Sequence, residues 1–234
     1  MLEFAIDARR GSFHLHVECR LASEWTVIFG PSGAGKSTLL RLLAGLDRPD
    51  VGSIALDGHT LSDSARRVHQ KPGHRNTALV AQQPALFPHM SVAANVSYGV
   101  VDLNRRQRAE RIEEMLKLVD AENLAHRRPR DHSGGEAQRI ALARAIAPLP
   151  HLLLLDEPFS ALDGAASDAL LERLKDWLRR RSVQTILVTH DATDAYASGA
   201  EVALLRDGQI VALGPADVVL ADERRRILER LGSN

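Results

Sequence analysis

Apolar and polar positions alternate from Leu2 to Ala8 and again from Ser12 to Leu21, which predicts two strands around Arg9-Arg10-Gly11. Trp25 to Phe29 predicts a short buried strand. The period then changes, because Ser37 to Ala44 carries four leucines at helical spacing and is ended by Gly45 and Pro49. Ser53 to Leu56 reads as a further strand meeting a turn at Asp57-Gly58, and Ala78 to Ala81 as an apolar stretch leading into Gln82-Gln83-Pro84. From about Pro84 to Pro148 strand signals thin out, and Ile112, Met115, Leu116 and Val119 mark one face of a helix. Beyond it lie a strand at His151 to Leu155, an amphipathic helix around Ala169 to Leu178 and a strand at Val183 to Thr189. Val202 to Leu213 is broken by the hairpin signal Asp207-Gly208, and the end is helical and charged. Strands alternating with helices build a parallel sheet, so an α/β fold is expected, with a β-rich opening and a helical lobe inserted at about 84–150.

The length of 234 residues suits one compact domain carrying such a lobe. Lys plus Arg and Asp plus Glu number 30 each, so no overall field points to nucleic acid or an anionic membrane. Arginine clusters at 105–106, 127–128, 179–181 and 224–226 sit near acids and read as solvated helix faces. The single cysteine, Cys19, rules out an intrachain disulfide and fits a reducing cytoplasm. Apolar runs such as Leu152 to Leu155 are too short to span a bilayer, and Met1 opens onto charged, alternating sequence without a signal peptide. A soluble chain is expected, with any membrane role supplied by a partner.

Gly30, Pro31, Ser32, Gly33, Ala34, Gly35, Lys36 and Ser37 spell G-x-x-x-x-G-K-S between a strand and a helix, as a phosphate-binding loop requires. The glycines let backbone amides wrap phosphates, and the helix start adds the positive end of its dipole. Lys36 would neutralise the β- and γ-phosphates, Ser37 would ligate Mg²⁺, and Thr38 could add a phosphate contact. The bland alternative, a glycine turn opening a helix, is much the weaker reading. Asp156-Glu157 ends a buried strand; two acids there are often only a solvated turn, but beside a phosphate loop they read as an Mg²⁺ ligand and a base polarising water.

Ser133 and Glu136 stand at capping-box spacing before the helical run Ala137 to Ala147. A cap does not explain Gly134 and Gly135, which cost about 1 kcal/mol each relative to alanine in a helix. Bare amides there suit a second anion, as if ATP were held between two copies of the chain. His190 follows a strand, and its reading as a γ-phosphate contact comes from the other motifs. His14 and His16 share one strand face and read as solvated; no protein-only metal site is assigned among the histidines.

In this order the pieces resemble the ABC transporter ATPase family over about residues 2–220. Gly30 to Thr38 is similar to Walker A, Gln82 to the Q-loop glutamine, His132 to Glu136 to the LSGGQ signature, and Leu152 to Glu157 to Walker B. Ser160 to Asp163 resembles the D-loop and His190 the switch histidine. The resemblance implies a P-loop NTPase core with a parallel sheet, an N-terminal antiparallel β subdomain and an inserted helical subdomain, all within one domain over 1–234. It implies ATP and Mg²⁺, the latter held by Ser37, Gln82 and Asp156, with Glu157, His190, Gln82 and Lys36 catalytic. Its implied partners are a second, identical ATPase subunit, a pair of transmembrane permease subunits and an extracytoplasmic substrate-binding protein, at the cytoplasmic face of the membrane and without nucleic acid. The segment Pro84 to His89 is expected near the groove that receives the permease.

His132 replaces the signature's usual leucine and Glu136 its glutamine; Gln83 stands where importers often carry an acid. No aromatic stands clearly at the adenine position; Phe13 is the nearest candidate and Arg10 an outside one. The short first hairpin and Ala-Leu-Phe-Pro-His are similar to ATPases of molybdate and tungstate importers. Rival readings are an importer for another substrate, an exporter, a soluble ABC protein acting on ribosomes or DNA, and a subunit that binds ATP without turning it over.

Overall fold

The computed structural model describes residues 1–128, 132–162, 164–222 and 225. In chain order the elements are β1 (Leu2–Arg10), β2 (Phe13–Leu21), β3 (Trp25–Phe29), α1 (Lys36–Ala44), β4 (Val51–Leu56), β5 (His59–Asp63), β6 (Val68–His69) and β7 (Thr77–Val80). There follow α2 (Val92–Ser97), α3 (Arg105–Leu118), α4 (Gly134–Ile146), β8 (Leu152–Asp156), α5 (Gly164–Arg179), β9 (Gln184–Thr189), α6 (Ala192–Ser198), β10 (Glu201–Arg206), β11 (Gln209–Pro215) and α7 (Ala216–Val219). The chain divides into two compact units, 1–77 with 184–234, and 78–183.

In the first unit the alternation of β1 turns Leu2, Phe4, Ile6 and Ala8 into the core, and β2 answers with Leu15, Val17 and Leu21. The two pair antiparallel from Leu2↔Leu21 to Arg10↔Phe13. They form the edge of a five-stranded sheet ordered β2-β1-β4-β5-β6. A second run, β11-β10-β3-β9, holds β10, β3 and β9 parallel, with the hairpin partner β11 antiparallel. Every residue of β9 is buried, as a parallel strand covered on both faces requires.

The strands β5 and β6 were not expected. His59–Asp63 buries only Leu61 and Ser62, so its apolar signal is weak, and register with β4 supplies what the pattern lacks. Arg75 is also buried here, and it closes the far end of α1. Its guanidinium donates to the carbonyls of Leu42 at 3.2 Å, Leu43 at 2.9 Å and Gln70 at 2.9 Å. Burial pushes its pKa down to about 10, so it remains a cation at neutral pH, and a cation at a helix C-terminus is favourable.

In the second unit α2, α3 and α4 pack around Val92, Val96, Met115, Leu116, Ile140 and Ile146. The unit is wider than the helical stretch read from sequence, because α5 is tied to α3 and the turn after it. Trp177 Nε1 and Arg181 both donate to Glu114, and Arg173 makes a two-pronged bond to Asp120 at 2.8 and 2.5 Å. Arg181, read from sequence as part of a solvated helix face, instead lies just past the end of α5 and is half-buried over the Trp177 ring. Arg224 and Arg226 lie outside the described residues, as does most of the charged C-terminal stretch. Among the described residues no helix is long and apolar enough to cross a membrane.

Candidate functional site

In the first unit β3 runs parallel to β9 with Phe29 opposite Thr189, so the residues that follow, Gly30 and His190, leave neighbouring strands at the same edge. This is the carboxyl end of parallel strands, where open α/β sheets place ligands. Gly30 admits no side chain, since a Cβ would fall 2.2 Å from the carbonyl oxygen of Leu205 on β10. Gly35 precedes α1 at φ 102°, a conformation that glycine adopts without strain, and the ring of Phe13 lies against it. Thus Phe13 packs on the loop. Arg10 donates to the carbonyls of Arg9 and Arg48.

No side chain caps α1, and its first turn holds no acid. The loop therefore presents backbone donors and a helix dipole to an anion. Lys36 is buried, and its ammonium donates to the carbonyls of Gly30 at 2.7 Å and Pro31 at 3.0 Å, which folds the lysine back over the loop it follows. Pro31, Ser32, Gly33 and Ser37 are exposed, Ala34 is buried, and Thr38 is half-buried. The tip of the β10–β11 hairpin braces the loop through Gly208 N–H donating to the Ala34 carbonyl at 3.2 Å. His190 is exposed, and the turn after it is fixed by Asp191 accepting from the Thr193 amide at 2.7 Å.

In the second unit β8 carries four buried leucines and delivers Asp156 and Glu157 at its end, both half-buried. Glu157 sits at φ 48°, which ends the strand, and the Ser160 hydroxyl donates to its carbonyl at 3.0 Å. Gln82, just past β7, donates its amide to Glu157 Oε2 at 2.9 Å. Residues 75 apart are thereby joined, a pairing that spacing alone does not reveal.

Ser133 caps α4, and both halves of its capping box are formed. The Glu136 amide donates to Ser133 Oγ at 3.2 Å, while the Glu136 carboxylate accepts from the Ser133 amide at 2.8 Å and hydroxyl at 3.0 Å. The Ser133 amide, and after it the hydroxyl, hold the Glu136 carboxyl below its ordinary value. One of the two glycines has a packing reason the sequence did not show: a Cβ on Gly135 would meet Leu162 Cδ2 at 3.0 Å and the Ala161 carbonyl oxygen at 3.1 Å. Gly134 is looser, with Ala161 Cβ at 3.9 Å. His132 buries its side chain, with Nδ1 3.9 Å from Glu136 Oε2. Asp163 lies outside the described residues.

The segment after Gln82 is pinned by buried Asn95, which accepts from the Phe87 amide at 2.8 Å and donates to the Phe87 carbonyl at 3.1 Å. The Phe87 ring stacks near Tyr98 at 4.6 Å and under the Arg144 guanidinium at 5.1 Å. With Val80, Ala141 and Pro148 they line a cavity of about 280 Å³.

A glycine-wrapped, uncapped helix start with a folded-back lysine, at the carboxyl edge of parallel strands, defines a P-loop NTPase. The chain belongs to the ABC transporter family, whose model matches residues 15–160. It is 45% identical to the Fe(3+) ions import ATP-binding protein of Mesorhizobium japonicum over 88% of this chain and 57% of that protein. It is 37% identical to the molybdate/tungstate import ATP-binding protein of Archaeoglobus fulgidus, over 99% of this chain and 94% of that one. The solved dimeric cassette in a post-hydrolysis state bound to ADP and Pi superposes with a TM-score of 0.78 at 27% identity, over 92% of this chain and 99% of that chain. The chain thus spans little more than half of the iron-import relative, and the two relatives carry different cargo names. The expected α/β architecture, with a parallel sheet, an antiparallel β sheet and helical parts, is the one found.

Proposed function

We propose that this chain binds and hydrolyses ATP, as a pair of copies, to drive an ABC importer at the cytoplasmic face of a membrane. The observation that carries the hydrolytic reading is the Gln82 to Glu157 bond of 2.9 Å at the end of β8. One oxygen of Glu157 is held by the glutamine, which orients the carboxylate so that its other oxygen can accept a proton from an attacking water. Such general-base assistance contributes about 10²–10⁴ in rate.

In this reading Gly30, Pro31, Ser32, Gly33, Ala34, Gly35, Lys36, Ser37 and Thr38 cradle the phosphates of ATP, and His190 contacts the γ-phosphate. The residues fit such a group: backbone donors at an uncapped helix start face an anion, with a cation at the loop's edge. The hydroxyl of Ser37, the amide oxygen of Gln82 and the carboxylate of Asp156 are the hard oxygen donors that Mg²⁺ prefers. Mg²⁺, when bound, neutralises charge on the phosphates. Ser133, Gly134, Gly135 and Glu136 close on the nucleotide of a second copy, a reading supported by the dimeric cassette bound to ADP and Pi. The permease pair docks at the groove by Phe87, and an extracytoplasmic binding protein delivers the cargo. For cargo we favour an inorganic oxyanion such as molybdate, supported by the near full-length alignment with the molybdate/tungstate relative. Ferric ion is the second reading, supported by the higher identity to the iron-import relative.

Glu157→Gln tests the chemistry. ATP hydrolysis by the purified chain should fall about 10²-fold or more while ATP binding persists and a dimer accumulates on size exclusion. Undiminished turnover overturns the base assignment. Deleting the gene and measuring cellular molybdenum and iron under limitation of each identifies the cargo, with restoration by the active copy but not by Glu157→Gln; loss of neither metal overturns both cargo readings.

A further inference from the structure

We propose that Asp7, His14 and His16 form a divalent transition-metal site of the zinc class on the outer face of the five-stranded sheet. The histidine pair alone read as solvated; pairing of β1 with β2 adds the third ligand. Asp7 stands directly opposite His16, and His14 is two residues along the same face. Asp7 Oδ1 is 2.9 Å from His14 Nε2 and Asp7 Oδ2 is 3.1 Å from His16 Nδ1. One ligand atom from each residue lies within 4.8 Å of the other two. A tetrahedral ion with bonds of about 2.0–2.1 Å places its donors about 3.4 Å apart, so small side-chain rotations close the triad.

The ligand set selects the ion. Two imidazoles and one carboxylate suit Zn²⁺, Ni²⁺ or Cu²⁺, whereas Mg²⁺ takes oxygen donors in octahedral geometry. Three protein ligands leave a position open to water. The flanking charges on this face, Arg9 opposite His14 and Glu18 after His16, offset one another.

The scaffold is also rigid. The ligands stand on two nine-residue strands in unbroken register, whose inward neighbours Ile6, Ala8, Leu15 and Val17 are buried. The His16 amide donates to the Gly208 carbonyl at 2.8 Å, fixing the strand from the other side. Ligands on paired strands are held closer to a productive geometry than ligands on a loop.

The test titrates ZnCl₂ into the tag-free, chelator-stripped full chain without nucleotide, followed by calorimetry, alongside Asp7→Asn and the double variant His14→Gln with His16→Gln. The wild type should show one saturable site, weakened about ten-fold or more in Asp7→Asn and lost in the double variant. Zn²⁺ should also raise the melting temperature of the wild type and leave the double variant unmoved. All three residues are partly or fully exposed, so the variants should keep the wild-type circular dichroism spectrum and ATP affinity. Absence of saturable binding, or binding that survives the double substitution, overturns the site and leaves a plain histidine–aspartate contact. Displacement of Zn²⁺ by millimolar Mg²⁺ would overturn the ligand class.

Discussion

Helices α1 and α4 both start at glycines, and they start in opposite ways. At α1 the first turn follows Gly35 with no side-chain cap and no acid, and the nearest cation, Lys36, is folded back over the loop by two carbonyls. At α4 the start is closed upon itself, with Ser133 and Glu136 satisfying each other's backbone amides. The first start keeps its donors for a ligand. The second is stable without one, so any contact it makes with an anion competes with, or adds to, an internal network that already works.

At their far ends the two helices are alike in charge. The last carbonyls of α1 are met by the buried Arg75 guanidinium, and the C-cap carbonyl of α4, Ala147, accepts from Arg111 at 3.0 Å. A cation at the C-terminus is favourable for either dipole, so the difference between the helices lies at their starts.

The largest effect should come from breaking α1. Lys36→Ala removes charge-assisted hydrogen bonds, each worth about 1.5–3 kcal/mol, and leaves the Gly30 and Pro31 carbonyls without their donor. ATP affinity measured by calorimetry should fall about 10- to 100-fold. Unchanged affinity would mean that the backbone amides carry the binding alone.

The glycines of α4 offer a sharper cut, because packing and ligand demands separate there. Gly134→Ala has room, so helix propensity should stabilise the fold by up to about 1 kcal/mol. Gly135→Ala gains the same propensity but must displace Leu162 and the Ala161 carbonyl, an overpacking cost of about 1–3 kcal/mol, so its denaturation midpoint should be equal to or below wild type. If Gly134 is small for the sake of a ligand, Gly134→Ala will be the more stable protein and the poorer ATPase. Full ATPase activity in that variant would remove Gly134 from the nucleotide contacts.

The start of α1 was legible because its chemistry is local: strand, glycines, lysine and helix are consecutive. The same holds for the capping box of α4 and the acids ending β8. What was not legible depends on partners brought from elsewhere in the chain. Glu157 gives no sign that Gln82 will reach it, Arg75 lies in a stretch without periodicity, and Asp7 joins His14 and His16 only through strand register. Gly135 is constrained by Ala161 and Leu162, which no spacing rule connects to it. His132, read as a perturbation of the signature, buries its ring completely, a fact decided by packing rather than by residue type. A strand was missed where burial was partial: β5 hides only Leu61 and Ser62, too few positions for a period to register.

The smallest expected effect distinguishes the helix starts by pH. Of the two starts compared, that of α4 is the one capped by a titrating group, and hydrogen bonds from Ser133 lower the Glu136 pKa in the folded state from its ordinary 4.5. A carboxyl with a depressed folded pKa contributes stability above its unfolded pKa, and that contribution is lost as pH falls through the folded value. Glu136→Gln keeps the shape but not the charge, so the wild type should exceed it in denaturant midpoint at neutral pH. The gap should narrow once the pH drops below about 4.5 and close when the carboxylate is protonated in both states. Because Glu136 stands near the surface, solvent screens the charge and the gap will be slight. A gap independent of pH would mean that the hydrogen-bonding geometry of the side chain, which glutamine reproduces only in part, stabilises α4 rather than its charge. In that case the two helix starts would differ in geometry alone.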